Sequence, residues 1–145
     1  MRRVAIKSPY SGNKEKNLRY LNACIKDALY RGEAPFATDK MSLDIANDED
    51  PYENRTWQEA ALDWEALADY IVVYMDLGIT PEMSTSVKYH QARGTQIIYR
   101  TLSADILFRC GLDLPASEEY LQQEMAFVLG STHEEDARQA SGASP

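Results

Sequence analysis

Histidine and cysteine are scarce in this chain, with two of each among 145 residues. His90 and His133 have no close spacing to Cys24 or Cys110, so no zinc or other metal site is expected. The two isolated cysteines read as free thiols in a reducing cytoplasm. Long hydrophobic runs are also missing: none approaches the ~18 apolar residues of a membrane helix. Met1-Arg2-Arg3 leads into only a short strand-like run, so neither a signal peptide nor a membrane partner is expected. Glycine clusters of the phosphate-cradling or dinucleotide kind are absent, because Ser8-Pro9-Tyr10-Ser11-Gly12 has neither spacing. The acidic residues Asp44, Asp48, Glu49 and Asp50 follow no calcium-loop pattern. No resident cofactor is implied, and no repeat of solenoid period is present.

Basic residues are in deficit after the first helix. Residues 1–31 carry eight Lys/Arg and two acids, whereas the remainder carries seven basic and twenty-one acidic residues. The formal net charge of −8 repels polyanions, which argues against a nucleic-acid polymer as partner. The basic N-terminal unit still suits a small phosphorylated ligand, or is simply a solvated helix face.

The residues that remain spell an alternating pattern. Val4-Ala5-Ile6 reads as a buried strand, ended by the Ser8–Gly12 turn. Leu18, Leu21, Ile25 and Leu29 recur at helical spacing within 13–31, and Gly32 marks the stop. Ala34-Pro35-Phe36-Ala37 reads as a short strand whose proline places it at an edge or a strand start. Residues 39–55, with six acids and few apolar residues, read as a long loop with one helical turn near Met41–Ile45. Thr56 is the expected cap of a helix to Leu67, with Glu59 three residues on and Trp57 and Trp64 in the core.

Asp69 through Met75 is continuously apolar and β-branched, which suits a central parallel strand covered on both faces. Asp76-Leu77-Gly78 breaks it, and Thr80-Pro81 caps a helix running to Arg93, with His90 on its surface or at an interface. Gln96–Tyr99 is a last strand, followed by short helices over 103–110 and 116–130. The tail, 131–145, has no apolar face and is expected to be disordered. The order predicts a single three-layer α/β domain over residues 1–130, with a mainly parallel sheet and extra C-terminal helices.

In such a sheet the ligand crevice lies outside the carboxyl ends of the strands. Two segments occupy those ends: Ser8-Pro9-Tyr10-Ser11-Gly12-Asn13, and Asp76 through Ser84 with Gly78, Glu82 and Met83. Each leads into a helix N-terminus, where free N–H groups favour an anion. Tyr10 would stack on a base or bond a hydroxyl; alternatively it is a half-buried turn aromatic. Asp76 would accept sugar hydroxyls; alternatively it caps the turn at Gly78.

Three stretches carry a resemblance. Ser8-Pro9-Tyr10-Ser11-Gly12-Asn13, Gly32-Glu33-Ala34-Pro35-Phe36, and Ala68 to Val73 with Asp76-Leu77-Gly78-Ile79 resemble small phage and bacterial proteins related to the nucleoside 2-deoxyribosyltransferases. The likeness spans residues 3–102. It implies a flavodoxin-like fold, a nucleoside or nucleotide ligand, and a homo-oligomer that completes its sites across interfaces. In the resembling enzymes a glutamate on the helix after the central strand attacks C1′ and displaces the base, the logic of glycoside cleavage. Carried over, Asp76 matches the aspartate near the sugar, and Asp63 lies near the helix aspartate that serves the base. The enzymes' Gly-Met-Glu reads Glu82-Met83-Ser84 here, so a serine stands where the nucleophile is expected. Glu82 is the carboxylate closest to that role, ~200° around the helix from Ser84. Two functions follow from the resemblance: cleavage or exchange of an N-glycosidic bond with Glu82 and Asp63, or a silent relative that sequesters a nucleotide signal, as in phage counter-defence.

Overall fold

The computed structural model describes residues 1–45 and 49–112. Their elements run β1 (Arg3–Lys7), α1 (Lys14–Tyr30), β2 (Ala34–Phe36), α2 (Thr38–Ile45), α3 (Pro51–Glu65), β3 (Tyr70–Tyr74), α4 (Pro81–Ala92), β4 (Gln96–Arg100) and α5 (Ala104–Arg109). The four strands form one all-parallel sheet in the order β2-β1-β3-β4. The helix expected over 116–130 and the tail 131–145 lie outside the described residues. Among the described residues no helix is long and apolar enough to cross a membrane.

Strand alternation divides the core in two. Val4, Ile6, Val72, Tyr74 and Ile98 pack with Tyr20, Leu21 and Cys24 of α1 and Leu107 of α5. Ala5, Ile71, Val73 and Ile97 point the other way and pack with Met83 and Val87 of α4. Helices therefore cover both faces of the sheet. β3 is central as its sequence predicts: Ile71, Val72 and Val73 are fully buried, each worth about 1.5–3 kcal/mol of transfer free energy. β2, with Pro35, lies at an edge, where a missing N–H costs no ladder bond.

Three expectations need correction. Residues 39–55 are not a long loop: α2 and the first turns of α3 occupy most of them. Asp50 caps α3, accepting from the N–H groups of Tyr52 and Glu53, with Pro51 in the first turn. Thr56 is consequently inside the helix, its hydroxyl donating to the Tyr52 carbonyl. The apolar stripe of α1 is rotated as well, leaving Leu29 51% exposed while Tyr20, Cys24 and Ala28 are buried.

β3 leaves the sheet through a turn in which the Gly78 N–H donates to the Met75 carbonyl. Gly78 has φ +86°, the left-handed region that glycine occupies without a Cβ clash. Thr80 then caps α4, accepting from the Met83 N–H at 3.2 Å. These two local devices set where α4 begins after β3.

Candidate functional site

β1 continues through α1 to β2 on one side, and β3 through α4 to β4 on the other. The loops diverge between β1 and β3, leaving a crevice at the carboxyl ends of the strands. A cleft of about 200 Å³ occurs there. β1 contributes Lys7, the following turn Tyr10 and α2 Asp39. α3 contributes Trp57, Gln58, Ala61, Leu62 and Glu65; α4 contributes Pro81, Glu82, Thr85 and Ser86.

Buried charge forms the floor. The Lys7 ammonium donates to Asp39 Oδ1 at 3.0 Å and to Glu65 Oε1 at 2.8 Å, with all three side chains nearly inaccessible. Glu65 Oε1 also accepts from the Thr38 hydroxyl at 2.6 Å. Its Oε2 accepts from the Ser86 hydroxyl at 3.1 Å and lies 2.8 Å from His90 Nε2. Burial works to raise the Glu65 pKa, but His90, Lys7 and Thr38 outweigh it and hold the group at about 2. Glu65 is thus a carboxylate, and His90 Nε2 carries the donated hydrogen. Burial alone would neutralise Lys7; the flanking Asp39 and Glu65 charges instead raise its pKa above the ordinary lysine value. For Asp39 burial prevails over Lys7, and its pKa is raised. Of the two carboxylates on Lys7, Glu65 is the better compensated, because it has three further donors.

The wall above the floor is different in kind. Glu82, in the first turn of α4, lines the cleft, and its Oε2 is buried without a hydrogen-bond partner. Tyr10 is half-buried; burial, then the nearby Glu82 and Asp39 charges, push its pKa up to about 12. Its phenol is neutral at physiological pH and stands close to Glu82, Asp39 and Lys7. The cleft therefore holds three carboxylates against one ammonium. Among the described residues no group of His, Cys, Asp and Glu is arranged to hold a metal ion.

The residues expected from sequence fall on both sides of this boundary. Tyr10 and Glu82 line the cleft. Ser8 and Pro9 are buried beside it, whereas Ser11 and Gly12 are exposed, and none of the four lines it. Met83 is fully buried in the α4 core, and Ser84 is half-buried outside the cleft. Asp63 is exposed on α3 and lines no part of it. Asp76 and Gly78 are buried away from it. Asp76 Oδ2 accepts from the Tyr20 hydroxyl at 2.6 Å, and the Leu102 N–H reaches both carboxylate oxygens at 3.0–3.1 Å. The same Tyr20 oxygen accepts the Asp76 N–H at 2.9 Å. Asp76 is committed to joining β3, α1 and the end of β4.

Lys7, Asp39, Glu65, Ser86, Trp57 and Gln58 were not expected at the site. Glu65 carried a readable signal, as did its partner His90: charge or polarity in phase with an apolar stripe. Glu65 continues the i, i+4, i+8 series from Trp57 and Ala61, and His90 continues Met83 and Val87. His90, expected at the surface or at an interface, is instead fully buried within the chain for that reason. Of the tryptophans expected in the core, Trp64 is 64% exposed and Trp57 faces the cleft. Trp64→Phe therefore leaves one indole, at the cleft. Saturating ligand should change its emission; an unchanged spectrum would mean that the ligand binds elsewhere.

Comparison with curated proteins and with solved structures returns no match for the chain. Residues 2–100, which take in the whole sheet and every cleft residue, match the family described as a domain of unknown function (DUF7768), and the chain belongs to that family.

Proposed function

We propose that the cleft binds a nucleoside or nucleotide in the manner of the 2-deoxyribosyltransferases. The strand order is compatible with the flavodoxin-like fold which that resemblance implies, and the cleft lies at its switch point. The observation that carries the reading is Glu82. It is a carboxylate in the first turn of the helix after the central strand, with one oxygen buried and unpartnered beside the cleft. The resembling enzymes use a glutamate on that helix. A homo-oligomer belongs to the same reading.

The chemistry is a displacement at C1′. A Glu82 oxygen forms a bond to C1′ as the bond from C1′ to the base nitrogen breaks. The electron pair leaves with the base, which takes up a proton from water. Water, or a second base, then attacks C1′ and frees the carboxylate.

Purified protein incubated with 2′-deoxynucleosides and their 5′-monophosphates should release free base, measured by chromatography. Glu82→Gln should slow release at least ~100-fold, because an amide cannot form the glycosyl ester. Full activity in that variant would remove Glu82 from the mechanism.

A second reading is favoured by the commitment of Asp39 and Glu65 to Lys7, which leaves neither carboxylate of the floor free to protonate the base. In that reading the protein binds and sequesters its ligand without turnover. Ligand at 100 times its dissociation constant would add about 2.7 kcal/mol of stability while no base is released.

A further inference from the structure

Lys7 has no part in the displacement at C1′, yet it is buried at the cleft and held by two carboxylates. It ends β1, is 4% exposed, and still lines the cleft with Tyr10 and Glu82. An ammonium has three N–H groups. Asp39 Oδ1 and Glu65 Oε1 take two of them. Glu65 is in turn held by Thr38, Ser86 and His90, from three points on α2 and α4. The ammonium is therefore pinned, and its third N–H is left for an acceptor in the cleft.

Charge decides which acceptor. The positive charge of Lys7 is already matched by two carboxylates in contact, and Glu82 adds a third on the wall. A phosphate brought to this position meets net negative charge in a partly desolvated space, where screening is weak. A neutral oxygen meets no such opposition. A ligand hydroxyl would also satisfy both sides at once, accepting from Lys7 and donating to the Glu82 carboxylate that lines the cleft.

We propose that Lys7 is a ligand-binding donor that engages a neutral oxygen of the ligand, and that Asp39, Glu65 and Glu82 exclude the phosphorylated form. The proposal rests on the nucleoside-or-nucleotide reading above and selects the unphosphorylated member. Lys7 then determines specificity without taking part in bond breaking.

Calorimetric titration of the whole chain with the four 2′-deoxynucleosides and their 5′-monophosphates tests it. At least one nucleoside should bind, with its monophosphate at least tenfold weaker. Glu82→Gln, a half-buried change that leaves the floor intact, should narrow that gap by about tenfold by removing one charge from the wall. Lys7→Met should lose nucleoside binding; circular dichroism checks that it folds, and the wild-type and Glu82→Gln arms stand without it. Monophosphates binding as tightly as nucleosides would overturn the proposal, as would a folded Lys7→Met variant with wild-type affinity. In both cases the nucleoside-or-nucleotide reading survives. If no nucleoside and no monophosphate binds, that reading fails and the Lys7 assignment falls with it.

Discussion

Glu65→Ala is expected to cost the folded state about 3–5 kcal/mol at neutral pH, the penalty for breaking a buried ion pair by removing one partner. The truncation leaves Lys7 with Asp39 as its one carboxylate and strips the Thr38 and Ser86 hydroxyls and His90 of their shared acceptor. Each of these groups is buried, so water does not replace the lost bond freely. In a domain of about 100 residues a loss of that size lowers the melting temperature by more than 10 °C.

The pH dependence has a definite sign. Glu65 has a folded pKa of about 2 against an ordinary 4.5. A carboxyl with a depressed folded pKa contributes stability that is fully present above its unfolded value. That contribution, about 3 kcal/mol, is lost as pH falls from 4.5 towards 2. Asp39, raised by burial, works in the opposite sense: its stabilising contribution, present in acid, fades as pH rises from 3.8 through its folded value. Glu65→Gln, with no charge to lose, should show a flatter acid limb than the wild type. Urea unfolding at pH 7 and pH 3 measures both effects. A loss below about 1 kcal/mol at pH 7, or equal losses at the two pH values, would mean that Glu65 does not hold the floor together.

Asp76→Ala is expected to cost about 2–4 kcal/mol, since it leaves the Tyr20 hydroxyl and the Leu102 N–H buried with one acceptor fewer. Leu102 follows β4 and leads into α5, so the variant should loosen the end of the sheet. Asp76→Asn keeps an acceptor oxygen and should lose less. Burial raises the Asp76 pKa, so its contribution declines as pH rises from 3.8 through the folded value, and the asparagine variant lacks that decline. Nucleoside binding should survive in Asp76→Asn, because the carboxylate points away from the cleft into the β3–α1 contact. Loss of binding in a variant of near-wild-type stability would return Asp76 to the ligand site.

Several elements were legible in the residues because each announces itself locally. β3 is a continuous β-branched run, and Thr80-Pro81 is a cap followed by a helix-starting proline. Asp50-Pro51 is the same kind of signal at the start of α3. It was masked because the surrounding acids suggested a loop, and because α3 buries only Ala61 and Glu65 among its residues. A helix with so small a buried stripe has little hydrophobic period to detect. The cleft was legible as a place, the carboxyl ends of the strands, because strand order and connection handedness leave few alternatives. Tyr10 was found because it stands in the turn just after β1, and Glu82 because the resemblance points to the first turn of the helix that follows β3.

By itself the sequence determined the succession of strands and helices, the central position of β3, and the end of the sheet at which the cleft opens. These follow from periods of two and 3.6 residues and from capping chemistry, all of which act over a few neighbours. Only the tertiary structure decided which charges face one another there. Lys7 meets Asp39, 32 residues away, and Glu65, 58 residues away, while Glu65 meets His90 across 25 residues. No local pattern encodes such pairings. They form because four elements converge on one desolvated volume, where a buried charge must find a partner.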